Sequence, residues 1–154
     1  MKLDTHALPN CKAKSQIFSG WARALDGEPE VGAALFETGL DHQFRIGTEE
    51  DLPIYLDMRS ATLECQGRHD LALQAIDEAL DHANRTSNAF WLPELYRRRA
   101  VLRTRCGWPA REIRQDLRQA LQLAEDQEAD ALARRIRADL EAVQAAEPAP
   151  SLRR

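Results

Sequence analysis

The stretch "CQGRHDLALQAIDEALDHA", residues 65–83, carries the most regular pattern in this 154-residue chain. A glycine turn at Gly67 precedes apolar residues that recur at spacings of three and four: Leu71, Ala72, Ala75, Ile76, Ala79, Leu80 and Ala83. Such spacing places these side chains on one face of an α-helix. Because most of the face is alanine, the sequence predicts a helix that closely approaches another helix.

The same unit recurs along the chain with a period of 40 residues. Several sets share this period: the turn glycines Gly27, Gly67 and Gly107; the small residues Gly20, Ser60 and Ala100; and the prolines Pro53 and Pro93. A fixed period of this length is typical of helical repeat proteins, in which each helix pair buries its apolar face against its neighbours. In the third copy the apolar residues come one position late, which predicts one extra residue in the turn "CGWPA".

Each copy is predicted to hold two helices, A and B. The predicted ranges are about 10–26 and 29–46, then 53–66 and 70–83, then 91–106 and 109–125, followed by a capping helix over 128–145. Small residues at Gly20, Gly32, Gly39, Ser60, Ala72 and Ala79 are the expected points of close helix contact. The predicted fold is all-α, a right-handed α-solenoid of antiparallel helix pairs. The domain spans 10–146 (repeats about 10–47, 48–87 and 88–126), between an arm at 1–9 and a disordered tail at 147–154.

Three segments resemble tetratricopeptide repeats of a particular bacterial family. They are "GWARALDGEPEVGAALFETGL" (20–40), "QGRHDLALQAIDEALDHANRTSNAFWLPELYRRRA" (66–100) and "LRQALQLAEDQ" (117–127). They are similar to the C-terminal repeats of large ATPase regulators linked to adenylate-cyclase or DNA-binding output domains. The chain contains no GxxxxGK[ST] phosphate-binding loop. The resemblance therefore implies a repeat region in signalling or transcriptional regulation, either a stand-alone protein or the end of a longer gene.

Composition favours a cytoplasmic protein without a membrane partner. Apolar residues make up 44% and charged residues 30% of the chain, and the formal net charge is −4. The longest apolar run, 31–36, is far too short to cross a bilayer, and the first ten residues lack the apolar core of a signal peptide. The three cysteines are widely spaced and form no CxxC pair, which argues against a disulfide framework or a zinc site.

Few residues suggest a catalytic or metal-binding role. The histidines at 6, 42, 69 and 82 include three that adjoin an aspartate, but adjacent residues on a helix do not face each other. Neither HExxH nor GxSxG occurs. We therefore expect surface histidines, no catalytic residue, no metal, no cofactor and no enzymatic activity. The rival hypothesis of an enzyme would be supported by turnover of ATP with a divalent metal.

Arginines are concentrated in the third copy. Five lie in "YRRRAVLRTR" (96–105), and Arg111, Arg114 and Arg118 follow on the next helix. They could form a basic patch for an acidic peptide, a phosphate or a nucleic acid. Alternatively, their stems lie over the core and acids such as Glu94, Glu112 and Asp116 neutralise them. We favour the second interpretation, and with it a protein or peptide partner in place of nucleic acid.

The inner face of the three A helices is the predicted partner-binding groove. The repeat register places there Ile17, Trp21 and Ala24, then Asp57, Ala61 and Glu64, then Arg97, Val101 and Thr104, with Arg105 alongside. Spacings of four and three put each set on one helix face, so the groove would grade from apolar through acidic to basic. Trp21 could instead be a core residue. Another protein's segment could read such a surface, and the alternative function is sensing of a small effector.

The first helix also predicts self-association. It is apolar on most sides, and Phe18, Trp21 and Leu25 would lie uncovered unless residues 1–10 or a second copy packed over them. A homodimer through this helix is therefore an expected partner arrangement.

Overall fold

The computed structural model describes residues 7–47 and 51–146, with side chains described from residue 10. The helices of these ranges are α1 (Ala7–Leu25), α2 (Pro29–Ile46), α3 (Leu52–Cys65), α4 (His69–Arg85), α5 (Leu92–Arg105), α6 (Ala110–Asp126) and α7 (Asp130–Ala145), with a short 3-10 helix at Ala89–Trp91 before α5. No described residue lies in a β-strand, and the all-α prediction is confirmed. The predicted disordered tail at 147–154 lies outside the described residues, as does the arm except for 7–9, which belong to α1.

Glycines with positive φ end the A helices, as the period predicts. Gly27, Gly67 and Gly107 have φ angles of 96°, 72° and 73°, a region that other residues resist. In each turn the next N–H reaches back to the carbonyl five residues earlier: residue 28 to 23 at 3.0 Å, 68 to 63 at 2.9 Å and 108 to 103 at 2.9 Å. This closure satisfies carbonyls that the helix end leaves unpaired, so one local device repeats every 40 residues.

The third turn does contain the extra residue. Three residues separate α1 from α2 and α3 from α4, whereas four, ending at Pro109, separate α5 from α6. The left-handed residues that follow the B helices reflect the same shift, since they fall at Gly47, Ser87 and Glu128. Because Glu128 has a φ of 55°, α7 begins at Asp130 and not at the predicted residue 128.

The chain divides into two compact units, residues 1–82 (unit 1) and 83–154 (unit 2). In unit 1, helices α1 and α2 approach at backbone contact. A Cβ added at Gly20 would lie 2.7 Å from the Gly32 oxygen, and one at Gly39 would lie 2.7 Å from the Ile17 nitrogen. The predicted small contact residues of the second copy, Ser60, Ala72 and Ala79, are fully buried.

The core of unit 1 joins the first two helix pairs. Ile17, Phe36, Leu40, Tyr55 and Met58 form one buried cluster on α1, α2 and α3. At its edge, the ammonium of Lys14 donates to Asp51 Oδ2 at 2.8 Å. This hydrogen bond raises the pKa of Lys14 and lowers the pKa of Asp51.

Unit 2 packs α7 over α5 and α6. Its buried cluster holds Ala100, Ile113, Leu117, Ala120, Ala124, Ala133 and Ile136, with Leu132, Leu140 and Val143 packed against it. The apolar face of the predicted capping helix is therefore buried at Ala133 and Ile136 and half-buried at Leu132, Leu140 and Val143. On its outer side Arg134, Arg135 and Glu141 are exposed, as a helix with a single buried face requires.

Candidate functional site

The predicted groove residues fall in both units. Ile17, Trp21, Ala24, Asp57, Ala61 and Glu64 belong to unit 1, and Arg97, Val101, Thr104 and Arg105 belong to unit 2.

Two predicted groove residues of α1 are core residues. Ile17 is completely buried and Ala24 is 2% exposed, so neither can line an open surface. Ile17 is buried because α3 packs against α1, and its Tyr55 and Met58 join Ile17 in the core cluster. Ala24 is buried where α1 meets α2, since a Cβ added at Gly32 would lie 2.8 Å from the Ala24 Cα. Trp21 is half-buried against this cluster, and Asp57, Ala61 and Glu64 are half-buried on α3. The accessible part of the predicted surface in unit 1 is therefore smaller and more acidic than expected.

In unit 2, three predicted residues meet in a cleft. Val101, Thr104 and Arg105 of α5 line a space of about 210 Å³ whose other walls are α6 and α7. The remaining lining residues are Ala100, Ile113, Leu117, Asp139, Ala142 and Val143. We call this the α5–α7 cleft. Its lining is mostly apolar, with one arginine and one aspartate among the lining residues.

Arg97 does not serve as a free basic group beside this cleft. Its guanidinium donates to both carboxylate oxygens of Glu94 at 2.8 and 2.7 Å and to Asp139 Oδ2 at 3.0 Å. The hydrogen bonds to Glu94 contribute most to raising the pKa of Arg97 above its ordinary value. The Arg97 side chain is only 13% exposed, and its ion pair with Asp139 links α5 to α7. The role of Arg97 is therefore structural.

The arginine-rich stretch is largely neutralised within unit 2. Asp116 is 3% exposed and accepts hydrogen bonds from Arg99 at 2.7 and 3.0 Å and from Arg103 at 2.8 Å. Arg103 also stacks on the Trp108 ring, with its guanidinium carbon 4.6 Å from the ring centroid. These contacts agree with the interpretation of arginines packed over the core, and Arg111 and Arg118 remain exposed on α6.

A second cleft, in unit 1, was missed by sequence reasoning. Each of α2, α3 (with its C-cap residue Gln66) and α4 presents one stripe with spacing i, i+3, i+4, i+7 around a space of about 610 Å³. The stripes are Glu30, Ala33, Ala34 and Glu37; Arg59, Thr62, Leu63 and Gln66; and Leu71, Gln74, Ala75 and Glu78, with Arg68 beside them. We call this the α2–α4 cleft. The available signal was the alanine face of α4, which we interpreted only as a contact between helices.

The residues predicted for self-association are partly exposed. Phe18 is 50% and Leu25 54% exposed on α1, while Trp21 is half-buried. Phe18 touches Tyr55 edge-on, with ring centroids 6.4 Å apart. The two exposed side chains leave an apolar surface on α1 that a second copy could cover.

Two histidines, His42 and His82, pack against other parts of the protein. The ring nitrogen Nδ1 of His42 lies 2.9 Å from the Gln16 side-chain oxygen, and His82 is 5% exposed, so the expectation of a surface residue is wrong for His82. Its face of α4 is turned into the protein. In residues 7–47 and 51–146, no three histidine, cysteine, aspartate or glutamate side chains form a possible metal site. The same ranges contain no helix with the length and apolar character needed to span a membrane.

The recurring turns, backbone contacts and paired helices define the class of the protein, an all-α, solenoid-like fold of helix pairs. A solved structure shares this fold: Bacillus thuringiensis PlcR, crystallised in complex with the peptide PapR7 and DNA. PlcR is 17% identical and superposes with a TM-score of 0.73 over 79% of this chain and 44% of its own. At that identity the likeness concerns the fold alone.

A relative in sequence is an uncharacterised protein of Rhizobium meliloti. It is 39% identical over 132 residues, which are 86% of this chain. The chain spans only 13% of that protein's length, so the relative is several times longer. No family model matches the chain.

Proposed function

We propose that this chain is a regulatory protein-interaction module without catalytic activity, which binds a polypeptide segment of its partner in the α5–α7 cleft. The observation that carries the proposal is the convergence of Val101, Thr104 and Arg105, predicted partner-binding residues, around one mostly apolar cleft. The peptide bound to PlcR, which shares the fold, supports the same kind of partner.

The dimensions of the cleft favour an anchor side chain. A volume of about 210 Å³ corresponds to about seven waters in the liquid, so one large apolar side chain could displace them. Sites for small molecules usually measure roughly 300–1,000 Å³, which weighs against the alternative of an effector sensor at this cleft. A thermal-shift screen with metabolites tests that alternative, because stabilisation by a small molecule without any captured peptide would favour it.

A pair of matched variants tests the proposed site. Ala142 is exposed and lines the cleft, whereas Ala138 is exposed one turn earlier on α7 and does not line it. Peptides selected from a random displayed library would be measured against both variants by fluorescence anisotropy. We expect Ala142→Trp to fill the cleft and weaken binding at least tenfold, with Ala138→Trp within twofold of wild type. If no peptide binds the wild-type chain, the interaction function is refuted, and equal binding by Ala142→Trp would refute the site.

The regulatory context rests on the resemblance of the repeats to those of ATPase regulators. The length of the Rhizobium meliloti relative supports it, since the matched region there belongs to a much longer protein. The test is the genomic sequence around this reading frame. We expect an ATPase core to be encoded beside or upstream of it, and an unrelated neighbourhood would contradict the proposal.

A further inference from the structure

The α2–α4 cleft is built like a receptor for a helix. Its floor is the stripe of α3 that includes the buried residues Thr62 and Leu63, and its walls are α2 and α4. Small side chains at Ala33, Ala34 and Ala75 keep the space between the walls open. Residues i to i+7 rise about 10.5 Å along a helix, so the cleft is two helical turns long.

The charges of this cleft select the partner. Arg59 and Glu37 form an ion pair, in which the guanidinium Nε donates to the carboxylate at 2.7 Å. The other charged lining residues, Glu30, Glu78 and Arg68, are exposed and carry a net negative charge. The surrounding unit reinforces this charge, since residues 1–82 contain 15 acidic and 7 basic side chains. Complementary potentials steer and orient a partner of opposite charge.

We propose that the α2–α4 cleft docks a two-turn amphipathic helical segment of a partner protein whose polar edges carry lysine or arginine. A helix laid in a groove anchors itself through its own residues at i, i+3, i+4 and i+7, a span that matches the two-turn length of the three lining stripes. The apolar edge of the segment packs on the alanines, and its basic side chains meet Glu30 and Glu78. The volume of about 610 Å³ lies within the range of small-molecule sites. Such sites, however, place a few fixed polar groups in an apolar pocket, whereas the charged groups here lie on exposed side chains. This site goes beyond the proposed function, because it lies in the other unit and selects a different partner chemistry.

The test uses a library of random 16-residue peptides displayed on phage. The library is selected on the wild-type chain after removal of peptides that bind Ala34→Trp, a variant in which an exposed alanine of the cleft wall is enlarged. We expect the survivors to be enriched in lysine and arginine at helical spacing. Survivors that are neutral or acidic would overturn the proposal, and so would an absence of survivors.

Charge reversal then locates the binding site. The double variant Glu30→Lys and Glu78→Lys changes both exposed carboxylates of the cleft, and the matched control, Asp41→Lys with Asp81→Lys, changes two exposed carboxylates of α2 and α4 outside it. Anisotropy titrations of a surviving peptide should show at least tenfold weaker binding to the first variant and at most twofold to the control. Equal weakening would mean non-specific attraction to an acidic unit and would overturn the site. Ala142→Trp should leave this binding unchanged, which separates the result from the test of the α5–α7 cleft.

Discussion

Replacing Gly20 by alanine tests the close packing of the first helix pair. The new Cβ would lie 2.7 Å from the Gly32 oxygen and 2.8 Å from the Phe36 Cα, where ordinary contacts begin at 3.4 Å. All of its nearest neighbours are backbone atoms, so no side chain can rotate away. Helices α1 and α2 must therefore move apart by more than half an ångström along their shared face.

The cost follows from two opposing effects. Overpacking of a well-packed interface destabilises a protein by about 1–3 kcal/mol, and rigid backbone neighbours place this site at the upper end. Alanine recovers about 1 kcal/mol because it favours a helix over glycine. We therefore expect the free energy of unfolding to fall by about 2 kcal/mol. Gly32→Ala should cost a similar amount, and the double variant less than the sum, because each Cβ would contact the other glycine's carbonyl.

The second repeat supplies a control for Gly20→Ala at the equivalent position, Ser60. Ser60, 40 residues after Gly20, is fully buried, already carries a Cβ, and has a hydroxyl without a hydrogen-bond partner in the described structure. Ser60→Ala should leave stability unchanged or raise it by up to about 1 kcal/mol, since an unpaired buried hydroxyl is lost. Urea unfolding followed by far-UV circular dichroism measures both variants. If Gly20→Ala is as stable as wild type, the inferred backbone contact between α1 and α2 is wrong.

Three further measurements address other contacts. Asp116→Asn leaves two partly buried arginines without their carboxylate, and the free energy of unfolding in urea should fall by about 3–5 kcal/mol. The control Glu125→Gln, in an exposed ion pair between α6 and α7, should cost less than about 1 kcal/mol. Equal losses would refute a special role for the buried carboxylate. The pKa of Asp51 is lowered in the folded chain by its lysine partner, so this carboxylate stabilises the fold above a pH of about 4. The stability difference between wild type and Asp51→Asn should therefore be small at neutral pH, because the pair is half-exposed. The difference should disappear as the pH falls through the lowered pKa of Asp51, and a difference that grows in acid would contradict the assignment. Phe18→Ser should convert a dimer into a monomer in sedimentation equilibrium, whereas Phe44→Ser, equally exposed on α2, should not; a wild-type monomer would exclude the α1 interface.

The period of 40 predicted the fold because it records backbone requirements. A left-handed turn favours glycine, and a backbone contact between helices needs a small side chain, so residue type reveals most such positions. The late apolar stripe of the third copy likewise predicted the longer turn that ends at Pro109. Glu128 escaped prediction because nothing in its residue type signals a positive φ.

The binding surfaces were harder to predict, because they depend on which neighbour covers each helix face. Repeat register assigned Ile17 and Asp57 to equivalent positions, yet Ile17 is buried in the cluster with Tyr55 while Asp57 is half-exposed. Likewise, the sequence predicts Arg97 as a basic groove residue, but in the structure Glu94 and Asp139 accept its hydrogen bonds and neutralise its charge. A single sequence shows how residues are spaced along one helix, whereas side chains from three helices together define each cleft.

A single residue departs from the repeat where the α2–α4 cleft forms. Arg59 and Arg99 are 40 residues apart and share a register, but Arg99 binds Asp116 on the helix that follows it. The residue equivalent to Asp116 in the second copy, once the extra turn residue is counted, is Ala75. With no carboxylate at that position, Arg59 binds back to Glu37 on α2, and the missing side-chain volume becomes part of the α2–α4 cleft. The alanines of α4 thus do more than allow close packing, since one of them leaves open the space in which we expect a partner to bind.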